Sequence, residues 1–579
     1  MRTFSATLTS QLQRIDGAAF RPVLVFEYPT YRSFLSTSTW TIGGVVVDAS
    51  LLGILSIDES HDRLGDATVE VVDTPLNRTH VRLTQKISVY LWPVSGNYSG
   101  LADEDVLFVG TISSPIVRAN GKIRFDAISY GWTHNRKIYS PILESVFPDA
   151  GLSIGKNQAV IYGKVPRVPC FLEADNLIGM LLVNISGSAT EINVWMQTDF
   201  PSNGYIRIGD EAIIYQSRSG GLLQGCLRGV TAPVGGLPSS HAYGDEVMVV
   251  EGSYPFIPAA HEIHSVSNVR YGNNNYPIAS DKFDFYGSGQ GNLHSKILVS
   301  SYGVFSDFIA AKTCLADVCG WRDDASGSIT GTPWALIERP DHVARHLLRT
   351  YGGASAAETA AGDFDAFIGV EIGIYLPDPF QVHEVLAEIA RQCGAVITYS
   401  GNRWIMRKIQ SDVLNLSSPA VTITEADTLR NEDGSSSVAF STVEIGAIRN
   451  RLVFRYGAIP DGSWVLVANR EDQNSQAMYG VREGALDLPF LYTSDQAEPM
   501  RGEIMARSQG SYGARVTARL SLEGLPIEIG DRVDVHHDLE IIGHHPQSGT
   551  YLAGQVVATR KDLTGNGFGS TEVVVMGWP

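Results

Sequence analysis

The C-terminal region contains the stretch that decides the fold: YGARVTARLSLEG (512–524), LPIEIGDRVDVHHD (525–538), TYLAGQVVATRKDL (550–563) and TGNGFGSTEVVVMGWP (564–579). Apolar and polar residues alternate along these segments, and the apolar positions of one predicted face are Val516, Ala518, Leu520, Val533, Val535, Val573 and Val575. Alternation at a period of two is typical of half-buried antiparallel strands. Turn residues, among them Gly565-Asn566-Gly567, separate the segments. The sequence therefore predicts a small sheet or barrel of four or more strands.

The same pattern recurs near the other end, in ATVEVVD (67–73), KISVYLWPV (86–94) and VLFVGTISSPIVRANGKIRFDAIS (106–129). Gly110 and Gly121 are 11 residues apart, and so are Gly554 and Gly565. In both regions the second glycine precedes a terminal strand. The segment that begins at Lys86 also resembles the segment RVDV that ends at Val535. Equal spacing over a whole unit indicates two copies of one β domain, with most of the chain between them.

The composition is that of a globular, turn-rich protein. A chain of 579 residues is long enough for about three to five domains. Hydrophobic residues make up 44% and charged residues 18%, which allows ample core, and 58 glycines favour β structure with many turns. The formal net charge of −18 argues against stable nucleic-acid binding, because phosphate binding needs clustered Lys and Arg.

The ends and the cysteines bear on where the chain is made. Its first 20 residues include Arg2 and Gln11 and lack the apolar core of a signal peptide. No run of 18 apolar residues predicts a membrane span. The five cysteines are scattered, at Cys170, Cys226, Cys314, Cys319 and Cys393. They predict buried free thiols rather than a disulfide framework or a cluster site, and we expect synthesis in a cytoplasm.

Patterning along the chain predicts four domains: an N-terminal β domain (1–140), an inserted small β module (141–260), an outer α+β domain (261–427) and a C-terminal β domain (428–579). Helices are predicted over 3–18, 303–320, 340–351 and 380–393, and a hairpin over AVITYS, Gly401-Asn402 and RWIMRKI. The fold class is therefore β-rich α+β multidomain, with two similar β-barrel-like domains flanking a β insert and an α+β middle domain.

Three segments resemble a known family: PDHVARHLLRTYGG (340–353), FQVHEVLAEIARQCGAVITYSGNRWIMRKI (380–409) and EIGAIRNRLVFRYG (444–457). They are similar to the central tail hub, or baseplate hub, proteins of tailed bacteriophages. The segment from GYIRIGDEAIIYQS (204–217) to HAYGDEV (241–247) is similar to a small β module of phage tail proteins. The resemblance covers most of the chain from about residue 20, and its motifs are structural.

The resemblance implies a structural role at the distal end of a tail. Family members carry two tube domains of one fold, and the strand NRLVFRYG is expected to open the second. Three chains then form a pseudo-sixfold ring that continues the hexameric tail tube. The implied partners are distal tail and tube proteins, the tape-measure protein, and tip fibres or receptor-binding proteins, with DNA only in passage. A homotrimer matches a hexamer only when each chain supplies two equivalent units.

Candidate reactive groups are few. His536, His537, His544 and His545 could ligate a metal, but adjacent strand residues point to opposite faces, so the four cannot all converge. A polar loop between two strands accounts for them better. Asp103-Glu104-Asp105 and the pair Asp363 and Asp365 are possible catalytic carboxylates, although acidic groups in turns are usually solvated. No catalytic, cofactor or metal site is predicted.

The sequence leaves two alternatives beside the hub: a virion-borne carbohydrate-active enzyme, and a receptor-binding tip protein that contacts the host. For a hub, we expect localisation at the tail tip of a virion. We also expect the lumen-facing strands to carry neutral or acidic residues on balance, because a basic lining would bind DNA phosphates. Basic groups such as Arg560-Lys561 are then expected at subunit contacts or outside.

Overall fold

The structure is a computed structural model, and it describes the following residues: 20–42, 45–60, 63–93, 105–143, 154–172, 178–196, 200, 202–209, 211–229, 237–249, 253–259, 261–271, 276–277, 283–286, 296–300, 313–409, 419, 421–431, 433–442, 445–460, 462–508, 514–521, 524–536, 551–564 and 569–577. The predicted helix at 3–18 lies outside these residues.

Strands dominate the first part of the chain. They are β1 (Phe20–Glu27), β2 (Arg32–Ser36), β3 (Trp40–Ile42), β4 (Val45–Val47), β5 (Leu51–Ser60), β6 (Arg63–Val72), β7 (Lys86–Pro93), β8 (Val106–Ala119), β9 (Lys122–Ser129) and β10 (Lys137–Ile138), with helix α1 (Pro75–His80) between β6 and β7.

Further strands follow up to residue 319. They are β11 (Val160–Tyr162), β12 (Lys164–Leu172), β13 (Ile178–Leu181), β14 (Glu191–Met196), β15 (Gly204–Ile208), β16 (Glu211–Tyr215), β17 (Ser217–Ser219), β18 (Leu222–Gln224), β19 (Glu246–Val249), β20 (Ser253–Ile257), β21 (Ser265–Tyr271), β22 (Tyr276–Pro277), β23 (Phe283–Tyr286), β24 (Lys296–Ser300) and β25 (Thr313–Cys319).

Helices and strands mix in the rest of the chain. The elements are α2 (Pro340–Leu347), β26 (Ile374–Leu376), β27 (Phe380–Gln381), α3 (Val382–Cys393), β28 (Ala395–Ser400), β29 (Arg403–Lys408), β30 (Val421–Ile423), β31 (Ala439–Thr442), β32 (Arg451–Ala458), β33 (Trp464–Glu471), α4 (Gln473–Tyr479), β34 (Glu483–Leu488), α5 (Ser494–Ser508), β35 (Ala514–Leu520), β36 (Arg532–His536), β37 (Tyr551–Thr564) and β38 (Gly569–Gly577). Among the helices of the described residues, none is long and apolar enough to cross a membrane.

One sheet of 13 strands includes both ends of the chain. Its main path is β2-β1-β7-β8-β9-β6-β5-β37-β38-β35-β31, and β36 pairs with both β37 and β30. The pairs are antiparallel except for β30 with β36. Because β5 pairs directly with β37, the N-terminal and C-terminal strands form one continuous surface. The pairings in the described part of the chain form an open sheet and no closed barrel.

One order of five antiparallel strands occurs twice in this sheet. The first unit is β7-β8-β9-β6-β5 and the second unit is β36-β37-β38-β35-β31. The order along the chain also matches, because β5, β6, β7, β8 and β9 of the first unit correspond to β31, β35, β36, β37 and β38 of the second. This repeated strand order agrees with the duplication predicted from the sequence. The flanking strands differ, because β1 is antiparallel to β7 whereas β30 is parallel to β36.

Gly110 and Gly554 occupy the same place in the two units. Gly110 lies opposite Ile87 on β7, and Gly554 lies opposite Val533 on β36. A Cβ atom at Gly110 would lie 2.5 Å from the carbonyl oxygen of Ile128, and one at Gly554 would lie 2.7 Å from that of Met576. Both strands therefore need a residue without a side chain here. The predicted partner Gly565 lies outside the described residues.

Each unit has its own apolar core. In the second unit, the seven residues that the alternation predicts to share one face are all buried, namely Val516, Ala518, Leu520, Val533, Val535, Val573 and Val575. The first unit buries the equivalent face of β6, β7 and β9 in a second cluster. Period-two patterning thus predicted correctly which side of the sheet packs.

The region between residues 160 and 319 forms two sheets of seven strands. One sheet, β16-β15-β19-β13-β14-β18-β17, lies wholly within the predicted module 141–260 and has its own core. The other, β22-β21-β25-β12-β20-β24-β23, takes strands from both sides of residue 260. The predicted boundary at 260/261 therefore falls between two strands of the same sheet.

Two helices and the hairpin predicted for the middle region are confirmed. Helix α2 begins at Pro340, and α3 ends before Gly394, whose φ of 59° is left-handed and suits a helix C-terminus. A capping box between Gln381 and Glu384 starts α3. The hairpin of β28 and β29 turns at Gly401-Asn402, as predicted. The apolar sides of both helices pack into the largest core of the chain.

The helix predicted over 303–320 is wrong for the part that the structure describes. Residues 313–319 form β25, at the centre of a sheet between β12 and β21. Cys314, Ala316 and Val318 are buried, which is the alternation of a strand. A helical period misreads this segment because short apolar runs fit both patterns.

The strand NRLVFRYG also differs from the expectation. It is β32, which pairs with β33 and β34 in a separate sheet of three strands and not in the 13-stranded sheet. Residues 445–508, with the unpredicted helices α4 and α5, stand between β31 and β35 of the second unit. Leu452, Phe454 and Tyr456 pack into the large core that also holds α2 and α3. Tertiary packing, rather than strand propensity, assigns β32 to its sheet.

We predict that Gly110→Ala and Gly554→Ala each destabilise the protein by about 1–3 kcal/mol, because the added methyl group overlaps neighbouring backbone. The measurement is the midpoint of thermal unfolding. Gly362→Ala is the matched control, since a Cβ atom there meets nothing within 4 Å. Equal midpoints for all three variants would contradict the prediction.

Candidate assembly interface

The contact between the two units depends on one long strand. β37 has 14 residues, and β38 pairs along one of its edges. Its other edge is divided: residues 551–555 pair with β36 of the same unit, and residues 558–564, here called the β37 arm, pair with β5 of the first unit. A bulge between Val556 and Ala558 lies where the partner changes. Bulges bend a strand locally, which lets one strand serve two partners.

A buried ion pair lies in this contact. Lys561 Nζ lies 3.4 Å from Glu59 Oε2, and the two side chains are 0% and 2% exposed. Glu59 also accepts hydrogen bonds from Ser400 at 2.8 Å and from Thr559 at 3.2 Å. The carboxylate of this first-unit residue thus binds groups from the second unit and from β28. A buried charge with several partners fixes the register because any slip would leave it unpaired.

The neighbouring pair is of another kind. Arg560 Nε lies 3.6 Å from Asp58, and the Arg560 side chain is 60% exposed. Arg560 is therefore exposed to solvent in the single chain, whereas Lys561 is buried between its two units. Sequence alone could not separate the two residues, since both stand in a polar run.

The equivalent strand of the first unit has an arm with one edge that pairs with no described strand. β8 also has 14 residues and pairs along one edge with β9. On its other edge β7 reaches Thr111, and loop residues 84 and 85 reach Ile112. Beyond that point, residues 113–119, here called the β8 arm, have no strand on this edge in the part of the chain that the structure describes. Val117 is 48% exposed on this arm.

The opposite edge of the second unit is likewise open. β31 pairs with β35 on one side, and no other described strand pairs with it. In the first unit, the equivalent strand β5 uses that edge to bind the β37 arm. Among the described residues, one arm and one strand edge are therefore unpaired, at opposite ends of the two joined units.

Of the four candidate metal ligands, only His536 lies within the described residues. His536 ends β36 and is exposed, whereas His537, His544 and His545 lie outside the described residues. In the described part of the chain, no group of three or more His, Cys, Asp or Glu residues could hold a metal ion.

The cysteines are unpaired and mostly buried. Cys170 and Cys314 are cross-strand neighbours on β12 and β25, and burial raises the pKa of the Cys170 thiol well above its usual value. Burial also raises the pKa of Cys226 to about 11 and that of Cys393 to about 12. Thiols held protonated in this way are poor nucleophiles and poor metal ligands.

Asp363 and Asp365, two of the candidate catalytic carboxylates, form ion pairs and hydrogen bonds within the fold. Asp363 pairs with Arg403, while Asp365 accepts from the backbone N–H of Lys408 at 2.9 Å and lies 3.5 Å from Arg407. These bonds join the loop before β26 to β29. Asp105 is buried at the start of β8, and Asp103 and Glu104 lie outside the described residues. A pair of carboxylates held by arginines lacks the free acid and base that glycoside hydrolysis needs.

A buried His–Glu–Tyr cluster, which the sequence analysis missed, joins the first unit to the middle region. His134 Nε2 lies 3.7 Å from Glu358, and Trp404 Nε1 donates to His134 Nδ1 at 3.0 Å. Tyr399 donates to Glu358 at 3.0 Å. Burial lowers the pKa of His134, and it raises that of Tyr399. Aromatic rings enclose the imidazole, so the cluster anchors the β28–β29 hairpin rather than presenting a base to a substrate.

The insert contains a second polar cluster, centred on Glu211 at the start of β16. Its buried carboxylate accepts two bonds from Arg228, at 2.6 and 2.7 Å, and contacts His241 at 2.8 Å. The backbone N–H groups of Gly229 and Ser239 also donate to it. Burial alone would raise the pKa of Glu211, but these hydrogen bonds outweigh it and lower the pKa to about 2. The cluster ties together both ends of the loop between residues 229 and 239.

Comparison with known proteins gives structural likenesses. No model of a known protein family matches the chain, and no curated protein matches it. Among solved structures, the tail protein from Neisseria meningitidis MC58 is similar over 97% of this chain and 96% of its own, at 10% identity and a TM-score of 0.37. The 43 kDa tail protein of prophage MuSo2 from Shewanella oneidensis is similar over 96% and 98%, at 8% identity and a TM-score of 0.38.

A third likeness is to a chain in the virion of a native gene transfer agent particle. It covers 56% of this chain and 77% of that chain, at 14% identity and a TM-score of 0.37. The chain is thus similar to tail proteins, the class of protein that its sequence resembles. Scores of this size describe a loose likeness in architecture, so they do not assign a role to any residue.

We predict that Lys561→Met destabilises the contact between the units by about 3–5 kcal/mol, because it leaves the buried Glu59 carboxylate unpaired. The measurement is thermal unfolding together with protease cleavage near β5. Arg560→Met is the matched control and should cost about 0–1 kcal/mol, since its pair is exposed. Adding Glu59→Gln to Lys561→Met should restore stability, because no lone charge then remains. A double variant as unstable as Lys561→Met would contradict this account.

We also predict acid-sensitive stability in the insert. The folded-state pKa of Glu211 is about 2, below its ordinary value of 4.5. Its contribution is therefore complete above about pH 4.5 and is lost as the pH falls towards 2, to a total of about 3 kcal/mol. Glu211→Gln should be less stable at pH 7, and its stability should vary less between pH 4.5 and 2. Hydrogen exchange of the backbone amides in residues 178–249, followed as the pH is lowered, reports the insert, and parallel pH curves for both proteins would contradict the prediction.

Proposed function

We propose that this protein is the structural hub at the distal end of a bacteriophage tail, in the tail tip or baseplate of the virion. Three copies form a ring of six similar β units that continues a hexameric tail tube. The role is architectural and involves no turnover. The observation that carries the proposal is the β5–β37 contact, through which two units of one fold are joined edge to edge within a single chain.

The contact is head-to-tail. The first unit contributes its edge strand β5, and the second unit contributes the β37 arm. A heterologous contact of this kind, repeated from chain to chain, generates a ring if the rotation closes. Two units per chain reconcile a threefold hub with a sixfold tube. A second contact of this kind, between two chains, would need one free arm and one free strand edge. Among the described residues, the β8 arm and β31 supply them.

The solvent side of the two units supports a role as a conduit. On β6 and β9 of the first unit, and on β35 and β38 of the second, the charged residues of this side are Asp66, Glu70, Asp126, Glu572, Lys122, Arg124, Arg515 and Arg519. Acidic and basic groups are equal in number, and Lys122 lies 3.4 Å from Glu70. We propose that this balanced side faces the channel through which DNA and the tape-measure protein pass, because it offers no excess positive charge to phosphates.

The insert is proposed to face outward and to contact neighbouring tail proteins, tip fibres or receptor-binding proteins. It has a separate core and a buried polar cluster, so it can keep its shape away from the tube. Trp195 and Tyr243 are largely exposed on its surface. Exposed aromatic residues are enriched at protein interfaces.

We predict that the purified protein is a trimer of about 188 kDa, three times the 62.8 kDa of one chain. Native mass spectrometry and light scattering measure the mass, and cryo-electron microscopy tests for threefold symmetry with six similar units around one axis. A protein that stays monomeric at high concentration would contradict the proposal. So would a ring with another number of chains.

A further inference from the structure

The two units of one chain are joined by a contact that has an unused counterpart. The β37 arm of the second unit binds β5 of the first, while no described strand pairs with the free edge of the β8 arm or with the outer edge of β31. We propose that the β8 arm of one chain pairs antiparallel with β31 of a second copy, with Val117 opposite Ser441. This inference rests on the proposed function, and it names the residues that join one chain to the next.

Backbone hydrogen bonds just before each arm identify equivalent residues in the two units. Ile112 donates to the carbonyl of Gln85 at 2.9 Å and accepts from the N–H of Thr84 at 2.8 Å. In the second unit, Val556 donates to Asp531 at 2.9 Å and accepts from Gly530 at 2.8 Å. The residues before the strand, Thr84 and Gly530, both have left-handed φ angles, of 66° and 86°. Ile112 and Val556 are therefore equivalent positions.

The pairing of β8 with β9 and of β37 with β38 extends this equivalence to the residues of the two arms. Ile112 lies opposite Ala127 on β9, and Val556 lies opposite Val575 on β38. Both strands contain a bulge just after this point, and the bulge of β8 has one more extra residue than that of β37. Beyond the bulges, the equivalent pairs are Ile116 with Thr559, Val117 with Arg560, and Arg118 with Lys561.

The same procedure aligns the edge strands. Thr68 on β6 and Thr517 on β35 are equivalent through their partners on β9 and β38. Thr68 lies opposite Ser56, and Thr517 lies opposite Ala439. The equivalent pairs that follow are Ile57 with Phe440, Asp58 with Ser441, and Glu59 with Thr442.

The observed contact between the units then provides the register between chains. Within one chain, Thr559, Arg560 and Lys561 lie opposite Glu59, Asp58 and Ile57. Replacing each residue by its equivalent gives three pairs between copies: Ile116 with Thr442, Val117 with Ser441, and Arg118 with Phe440. The half-exposed Val117 would be covered in this contact, as edge strands with apolar residues require.

The partner must be a second copy, because the two elements cannot meet within one chain. β8 and β31 are separated by seven strand-to-strand steps along the sheet. At about 4.8 Å per step this is roughly 34 Å. Each chain has one arm and one edge, so each copy would bind one neighbour with its arm and another with its edge, which is how a ring is built.

The contact between chains differs chemically from the contact within a chain. The positions of the buried pair Glu59 and Lys561 are taken by Thr442 and Arg118, and those of Asp58 and Arg560 by Ser441 and Val117. Main-chain hydrogen bonds and the area of Val117 would therefore hold the chains together without a matched ion pair. We expect assembly to depend weakly on salt, since no charge pair crosses the contact.

Disulfide trapping tests the register. Val117→Cys with Ser441→Cys, in the full-length protein under mild oxidation, should give covalent dimers and trimers on non-reducing gels, at least ten times faster than the parent protein. The matched control is Val117→Cys with Ser437→Cys, which moves the second thiol by four residues, about 13 Å along the strand. Variants with only one of the two new cysteines measure any cross-linking to the native cysteines. A second test, Val117→Asp, should dissociate the trimer, whereas Val465→Asp on the exposed strand β33 should not.

The outcomes separate this inference from the proposed function. Fast trapping of the designed pair only, with dissociation by Val117→Asp, supports the contact. A trimer in which the designed pair reacts no faster than the control pair overturns the register, although the hub proposal stands. A parent protein that is monomeric throughout overturns both.

Discussion

The structure depends on the division of one strand edge between two partners. One edge of β37 pairs with β36 over its first part and with β5 over its second part. The same strand therefore pairs within the second unit and also binds the first unit. The bulge after Val556 marks the change of partner, and the buried Lys561–Glu59 pair holds the register beyond it. A sheet continuous through both units follows from this arrangement.

Most of the other described elements lie between strands of the two units, whereas β1 to β4 precede β5. The two seven-stranded sheets and the α+β region follow β9, and residues 445–508 separate β31 from β35. The strand order of the units tolerates these insertions because loops leave the hydrogen-bonded ladders unchanged. The α+β region and residues 445–508 are firmly attached, since α2, α3, β32 and α5 share one large core with residues of the first unit.

The sequence pattern predicted secondary structure correctly where the apolar residues follow a single period. The alternation in residues 512–579 identified the buried side of β35, β36 and β38, and the i, i+3, i+4 spacing identified α3 together with its terminal Gly394. It failed in β25, where a seven-residue apolar segment fits two periods. It also missed α5, which contains Pro499 and whose apolar residues form no clear stripe on one side. Such a helix is stabilised by its surroundings rather than by its own sequence.

The sequence by itself determined that a β unit occurs twice, because spacing and alternation are local properties that each copy carries. Only the tertiary structure decided that β5 pairs with β37. Glu59 and Lys561 are 502 positions apart, and no local pattern records which distant edge a strand will meet. For the same reason Arg560 and Lys561 look alike in the sequence, yet one is exposed and the other is buried. Their difference arises from the side of the strand that faces Ser400 and Glu59, which exists only once the two ends of the chain have come together.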